Sequence, residues 1–198
     1  LARAYSWIRD RLMTLQPRRV RLLKTEMPTI IFTDVACEGL DFEVSTIVGV
    51  IHSPRLAIPE YFVIVVGDEL KDTFRRDQHR RQLIGQVEIL PALVSRHLWG
   101  TLLEGARVIH FVDNESAKFG LAKGYSNSEA SALLIDAFWQ LEHDAACYTW
   151  FERVPTDSNC SDAASRLSFD KYMKLGYRCR NSDICGLKPD HKMFRGVF

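Results

Sequence analysis

The run Ile30-Ile31-Phe32-Thr33-Asp34-Val35 sets a carboxylate inside what otherwise reads as a buried strand. Three apolar β-forming residues lead into it. Ala36, Cys37 and Gly39 follow, small residues that suit a tight strand-to-strand turn. Thr29–Val35 is therefore expected to be a central strand with Asp34 near its end. A buried carboxylate without a partner costs on the order of several kcal/mol or takes up a proton. Arg or Lys would meet that need, and so would a metal ion shared with other carboxylates.

The design recurs further on. Arg107-Val108-Ile109-His110-Phe111-Val112-Asp113 is a second apolar run ending in Asp, followed by Asn114, Glu115, Ser116 and Ala117. Between the two, Phe42–His52 and Tyr61–Val66 read as strands, joined through a gap that holds Pro54 and Pro59. Three strands with short links predict an antiparallel meander. A helix is expected from about His79 to Leu98, with Leu83, Ile84, Val87, Leu90 and Val94 on one face and Glu88 close to it. Pro91 should kink or restart that helix, at ~3 kcal/mol if nothing adapts. Ser126 and Glu129 form a capping box. They open a helix to about Asp144, with the stripe Ala130, Leu133, Leu134, Ala137, Phe138 and Leu141. Cys147–Val154 reads as a fifth strand, Pro155–Cys160 as a loop, and Ser161–Phe169 as a short helix with Asp162 in its first turn. The order β-β-β-α-β-α-α-β-α predicts an α/β domain whose later strands join parallel to the first through helical crossovers. In such sheets ligands lie beyond the carboxyl ends of the central strands, where Asp34 and Asp113 are placed.

The chain has 198 residues, enough for one domain with extensions. No apolar run approaches the ~18–20 residues a membrane span needs, so no membrane partner is expected. Five Cys without regular spacing make no disulfide framework and point to a reducing, intracellular compartment. The sequence opens on Leu1, and the chain is expected to be a piece of a longer polypeptide. Residues 1–25 carry seven Lys or Arg against Asp10 alone, and residues 171–198 carry seven against Asp183 and Asp190. With a net charge of +1 overall, the middle is strongly acidic. Basic arms on an acidic body suit a polyanion held at the edges of a centre that attracts cations. Solvated surface charge is the plainer explanation of the same pattern.

Four acids stand out: Asp34, Glu88, Asp113 and Asp162. Converging carboxylates repel, and divalent cations remove that conflict. Mg²⁺ takes a few carboxylates and keeps several waters, and two such ions ~3.5–4 Å apart can clamp the attacking and leaving oxygens of a phosphodiester.

At this point the motifs resemble those of a known family, ribonuclease H. Phe32-Thr33-Asp34-Val35-Ala36-Cys37-Glu38-Gly39 is similar to its first-strand Asp-Ala-Ser-x-x-Gly form, with Val35 and Ala36 as departures. Val87-Glu88-Ile89-Leu90-Pro91-Ala92-Leu93 resembles its helical E-L-x-A-L pattern. Val112-Asp113-Asn114-Glu115-Ser116-Ala117 resembles its T-D-S-x-x-A strand end. The segment from Arg153 to Arg166, with Val154-Pro155, Asn159, Asp162 and Ser165-Arg166, is similar to the V-P-x-x-x-N-x-A-D-x-L-S-R ending. That ending is characteristic of ribonuclease H domains fused to retroelement reverse transcriptases.

The resemblance covers roughly residues 28–170. It implies a five-stranded mixed sheet, an antiparallel meander plus parallel strands, flanked by helices. Residues 1–27 would then be a basic helical connector from an upstream polymerase region, and 171–198 a basic C-terminal tail. The implied activity is cleavage of the RNA strand of RNA–DNA hybrids with two Mg²⁺ or Mn²⁺ ions. By carry-over, Asp34 would bridge both ions, with Glu88 and Asp113 on one and Asp162 on the other. Cys37, Glu38, Gly39, Asn114, Ser116 and Asn159 are the implied hybrid contacts, and Asn159 could equally be a turn residue or one that orders its loop. The Lys71–Arg81 cluster, with Arg75, Arg76 and Arg80, and the two basic ends are expected to stand in for the basic protrusion that has little room between Phe119 and Asn127. Many family members carry a His in the loop before the last Asp. Pro155–Ser161 holds none, so a slower enzyme is expected.

Other features read more plainly. Trp7, Trp99, Trp139 and Trp150 lie in apolar stripes and are expected in the core, as is His110. Tyr5, Ile8, Leu12 and Leu15 form a helical stripe at the N-terminus. Cys179, Cys185 and His191 are too irregularly spaced to make a zinc site. A transposase, integrase or resolvase relative fits the last motif poorly. A proofreading exonuclease would want an acid where Ala36 stands. A degenerate module that binds nucleic acid or the polymerase without catalysis is the non-enzymatic alternative.

Overall fold

The structure is a computed structural model that describes residues 2–14, 26–39, 44–75, 84–181 and 187–194. The apolar run first noted in the sequence forms β1 (Thr29–Glu38), longer than expected because Ala36, Cys37 and Glu38 continue the strand rather than turn. Antiparallel β2 (Val44–His52) pairs with it along its whole length, up to Glu38 opposite Val44. β3 (Glu60–Val65) completes the meander. On the other side of β1, β4 (Arg107–Val112) runs parallel, and β5 (Tyr148–Arg153) runs parallel to β4. Helices make the two crossovers, as parallel pairing requires: α2 (Asp68–Arg75) and α3 (Ile84–Leu103), then α4 (Glu115–Lys123) and α5 (Glu129–Asp144).

The sheet has six strands rather than five, in the order β5-β4-β1-β2-β3-β6. The added strand is β6 (Arg178–Cys179), which lies parallel to Glu60–Tyr61. Its physical reason is a buried charge. Glu60 is 1% exposed. Its carboxylate accepts from Trp99 Nε1 at 3.0 Å, Arg180 Nη1 at 2.7 Å and Arg178 Nη1 at 3.4 Å. These two arginines of the basic C-terminal segment therefore neutralise the sheet edge.

Alternation along the strands separates two apolar layers. Ile31, Ile47, Ile51 and Phe62 pack with Leu90, Leu93, Trp99, Leu134 and Phe138 from α3 and α5. On the opposite face Val48, Val50, Tyr61 and Val63 pack with Ala164 of α6 (Asp162–Ser165) and Tyr172 of α7 (Asp170–Lys174).

Several local expectations change. Helix α3 runs through Pro91 and five residues beyond Leu98, and its expected beginning at His79–Leu83 lies outside the described residues. The cap of α5 is Ser128, whose side chain accepts from Ser131 N, rather than Ser126. The expected helix Ser161–Phe169 is the single turn of α6, followed by separate α7. Trp99 is buried and Trp139 half-buried, but Trp150 is 69% exposed. On β5 it is Phe151 that enters the core, so the alternating Trp150 must face away. At the N-terminus α1 (Ala2–Thr14) forms, with Tyr5, Ile8 and Leu12 exposed.

Candidate active site

The parallel ladder of β1 and β4 ends with Thr33 opposite Val112. The next residue on each strand is an acid, so Asp34 and Asp113 emerge abreast where that ladder stops. On its other edge Asp34 remains paired with Val48 of β2, which makes it interior to β1 and only 3% exposed. Helix α3 brings the half-buried Glu88, and the N-terminus of α6 brings the half-buried Asp162.

The electrostatics couple the four acids to one another. Burial pushes Asp34 up to about 7, opposed by a hydrogen bond from Ser165 and reinforced by the charges of Asp113 and Asp162. Glu88 is pushed up to about 8, first by burial and then by the charges of Asp113 and Asp34. Asn114 opposes that shift through a side-chain hydrogen bond to Glu88. The same Asn114 caps α4, its Oδ1 accepting from Ala117 N at 2.9 Å. Asp162 pairs with Arg166, whose Nε and Nη2 both reach Oδ1 at 3.3 Å.

An all-oxygen, all-carboxylate set suits hard divalent cations such as Mg²⁺ and Mn²⁺. Burial first, and then the neighbouring carboxylate charges, hold protons on Asp34 and Glu88, and such a cation would offset both. The fit is one of chemistry and convergence. Among the described residues no three His, Cys, Asp or Glu side chains are drawn together into a ready cage.

The remaining expected residues are placed as follows. Cys37 faces Ser45, with Sγ 3.7 Å from Oγ, and burial raises its thiol. Glu38 closes the β1–β2 ladder and Gly39 follows it, both exposed, Gly39 with φ 82°. Ser116 is exposed on the first turn of α4. A cleft of about 520 Å³ opens there, with Gln86, Asn114, Ser116, Lys123 and Asn127 on its walls. Asn159, by contrast, is 5% exposed and hydrogen-bonded inside the protein. Arg75 pairs with Asp72 at 2.8 Å on α2, while Arg76 and Arg80 lie outside the described residues. Lys71 is buried and pairs with Asp68 at 2.7 Å. His110 is buried, as expected, with Nε2 3.1 Å from Thr33 Oγ1. Cys179 is exposed on β6, His191 lies in ring contact with His97, and Cys185 lies outside the described residues.

Sequence reasoning gave no role to Ser161 or Ser165, both buried around Asp34 and Asp162. Ser165 sits in the Ser-Arg of the last motif. Its spacing of three from Asp162, one helical turn, was the available signal.

No family model matches the chain, and no curated protein matches it. Among solved structures, ribonuclease H1 from the halophilic archaeon Halobacterium salinarum NRC-1 is similar, with a TM-score of 0.50. The likeness covers 73% of this chain and 99% of that one, at 10% identity. The fold is ribonuclease H-like. A second similar structure is a ribonuclease H1 isolated from compost by a metagenomic approach. Its TM-score is 0.47 and its identity 14%, over 74% of this chain and 98% of that one. Within the ribonuclease H-like sheet, the four acids occupy one end of the two central parallel strands and the helices packed on either face.

Proposed function

We propose that the chain is a metal-dependent endoribonuclease that cuts the RNA strand of RNA–DNA hybrids, as part of a retroelement reverse transcriptase polypeptide. The observation that carries this reading is the gathering of Asp34, Glu88, Asp113 and Asp162 from four separate elements. Acids held neutral by burial and then by one another's charge become costly once ionised unless a cation shares them. Two Mg²⁺ or Mn²⁺ ions would supply charge neutralisation, an activated water and a clamp on the attacking and leaving oxygens.

The chain's own residues do the rest. Asp34 would hold both ions, Glu88 and Asp113 one, and Asp162 the other. Asn114 favours the ionised form of Glu88. Asn114 and Ser116 line the cleft with Gln86 and Lys123, Glu38 and Gly39 are exposed at the end of β1, and these would be the contacts to the hybrid. A hybrid presents a wide, shallow minor groove there, and the 2′-OH marks its RNA strand. The retroelement setting is supported by the sequence from Val154 to Arg166, whose Asn159, Ser165 and Arg166 all lie around Asp162. No membrane partner is included, and no helix of the described residues is long and apolar enough to cross a membrane.

The test is cleavage of a labelled RNA–DNA hybrid with Mg²⁺ or Mn²⁺, wild type beside Asp34→Asn. Cutting confined to the RNA strand and lost in the variant supports the reading. Hybrid binding without cleavage in either metal would replace it with a non-catalytic binding module. Cutting of the DNA strand would point to a DNA-directed relative.

A further inference from the structure

One buried amide joins the two ends of the acidic site. Asn159 Nδ2 donates to the carbonyl of Thr33, the residue before Asp34, at 3.2 Å. Its Oδ1 accepts from Ser161, the residue before Asp162: from Oγ at 2.6 Å and from the backbone N–H at 3.2 Å. The backbone of Asn159 closes the grip. Its N–H donates to Thr156 O at 3.0 Å, and its carbonyl accepts from Asp162 N at 3.2 Å. Because Thr33 offers an acceptor and Ser161 a donor, the orientation of the amide is set by its partners.

Both anchors are themselves fixed. Thr33 is buried with its hydroxyl against His110, and Ser161 has no exposed surface. Asp34 and Asp162 come from distant parts of the chain, and Asn159 spans the gap with a donor and an acceptor on one short rigid plane. Asp would lose the donor and add a charge, and Gln would be one methylene too long. At 5% exposure, with both ends of the amide committed, the side chain does not face a bound hybrid.

We infer that Asn159 is a positioning residue: it sets the spacing of the Asp34 and Asp162 carboxylates, and so the site's affinity for divalent cations, without touching the nucleic acid. The inference rests on the metal-dependent nuclease reading. Residues that orient metal ligands typically change metal affinity or turnover by about 10–100-fold when removed.

The experiment compares wild type, Asn159→Ala and Ser161→Ala in two measurements. The first is Mn²⁺ binding by calorimetry without nucleic acid. The second is kcat and KM on a labelled hybrid. Thermal melting of each protein accompanies both. For Asn159→Ala, the Mn²⁺ dissociation constant should rise by about 10-fold or more and kcat should fall by a similar factor, with KM within about twofold. Ser161→Ala loses only the Oγ contact. It should move in the same direction by less, and it carries the test if Asn159→Ala does not fold. A raised KM with kcat and Mn²⁺ affinity retained would overturn the inference in favour of a substrate contact. A lower melting temperature with kcat and Mn²⁺ affinity unchanged would reduce Asn159 to a structural residue. Wild type that binds Mn²⁺ but cuts no hybrid would defeat the nuclease reading alone, and the Mn²⁺ arm would still decide on Asn159. Wild type that binds no Mn²⁺ would overturn both.

Discussion

Arg96 of α3 meets Glu142 of α5 with Nε 2.6 Å from Oε2, the two side chains 0% and 1% exposed. Glu142 also accepts from Thr149 N at 3.0 Å, and the Arg96 guanidinium lies 5.1 Å from the Phe138 ring centroid. The pair pins the two long helices together beneath β5. Removing one partner strands a buried charge, which typically costs about 3–5 kcal/mol. Arg96→Met is expected to lose that much in urea unfolding. Adding Glu142→Leu should recover at least half, less what Thr149 N–H loses as a donor left without its acceptor. A single variant within about 1 kcal/mol of wild type would show that the pair contributes little.

The sheet edge offers a second charge test. Arg178 and Arg180 face Glu60 from β6, and both are partly exposed, so solvent screens them. Arg178→Ala with Arg180→Ala should therefore cost less than a fully buried pair, about 2 kcal/mol. Glu60→Gln added to that double variant should restore part of the loss. The amide needs no counter-charge and its oxygen still accepts from Trp99. Equal stability of the double and triple variants would mean that the charge of Glu60 is not what holds β6 at the sheet edge.

Gly49 of β2 lies against Phe62. A Cβ there would stand 2.3 Å from Phe62 Cε1 and 2.6 Å from Cζ, and Phe62 is wholly buried. Gly49→Ala is expected to destabilise by about 1–3 kcal/mol, the usual cost of overpacking. The melting temperature of the variant is the check, and Phe62→Leu in the same chain should recover part of it by opening space.

How much of this was legible beforehand depended on whether a residue's signal was local. Asp34 and Asp113 each end an apolar run, so the strands and the acids on them could be read together. The stripe of α5 was equally local. The sixth strand was not legible. Arg178–Cys179 is two residues long, too short for alternation to show, and it is held by Glu60, more than a hundred residues upstream. Trp150 misled because Trp150 and Phe151 are adjacent and both apolar, so which of the two enters the core is decided only when β5 pairs with β4. Pro91 was expected to kink or restart α3. Its ring is buried in the helix's packed surface, and its carbonyl accepts from Ser95 Oγ at 2.7 Å. For the site, the acids announced themselves by residue type and Asn159 by its place in the last motif, though as a contact to the hybrid rather than as a buried tie, whereas Ser161 and Ser165 did not. Polar residues in a loop look like turn formers until their partners in β1 are placed.

The raised acids give the last prediction, and its sign is fixed by linkage. Asp34 and Glu88 hold protons in the folded protein up to about 7 and about 8, well above where they ionise in an unfolded chain. Between those limits the folded state binds more protons than the unfolded state, so stability falls as pH rises. Their contribution is complete at acidic pH, below the ordinary carboxylate range, and is lost as pH climbs through about 7 and then about 8. Divalent cations bind the ionised form and compete with those protons. Without added metal, melting temperature should therefore drop between about pH 5 and about pH 8, and the gain from millimolar Mg²⁺ should grow over the same interval. Asp34→Asn copies the neutral side chain. It should raise the metal-free melting temperature at the upper end, flatten the pH slope and remove most of the Mg²⁺ gain. A Mg²⁺ gain that shrinks with rising pH, or survives Asp34→Asn undiminished, would mean that the cation binds elsewhere than among these four acids.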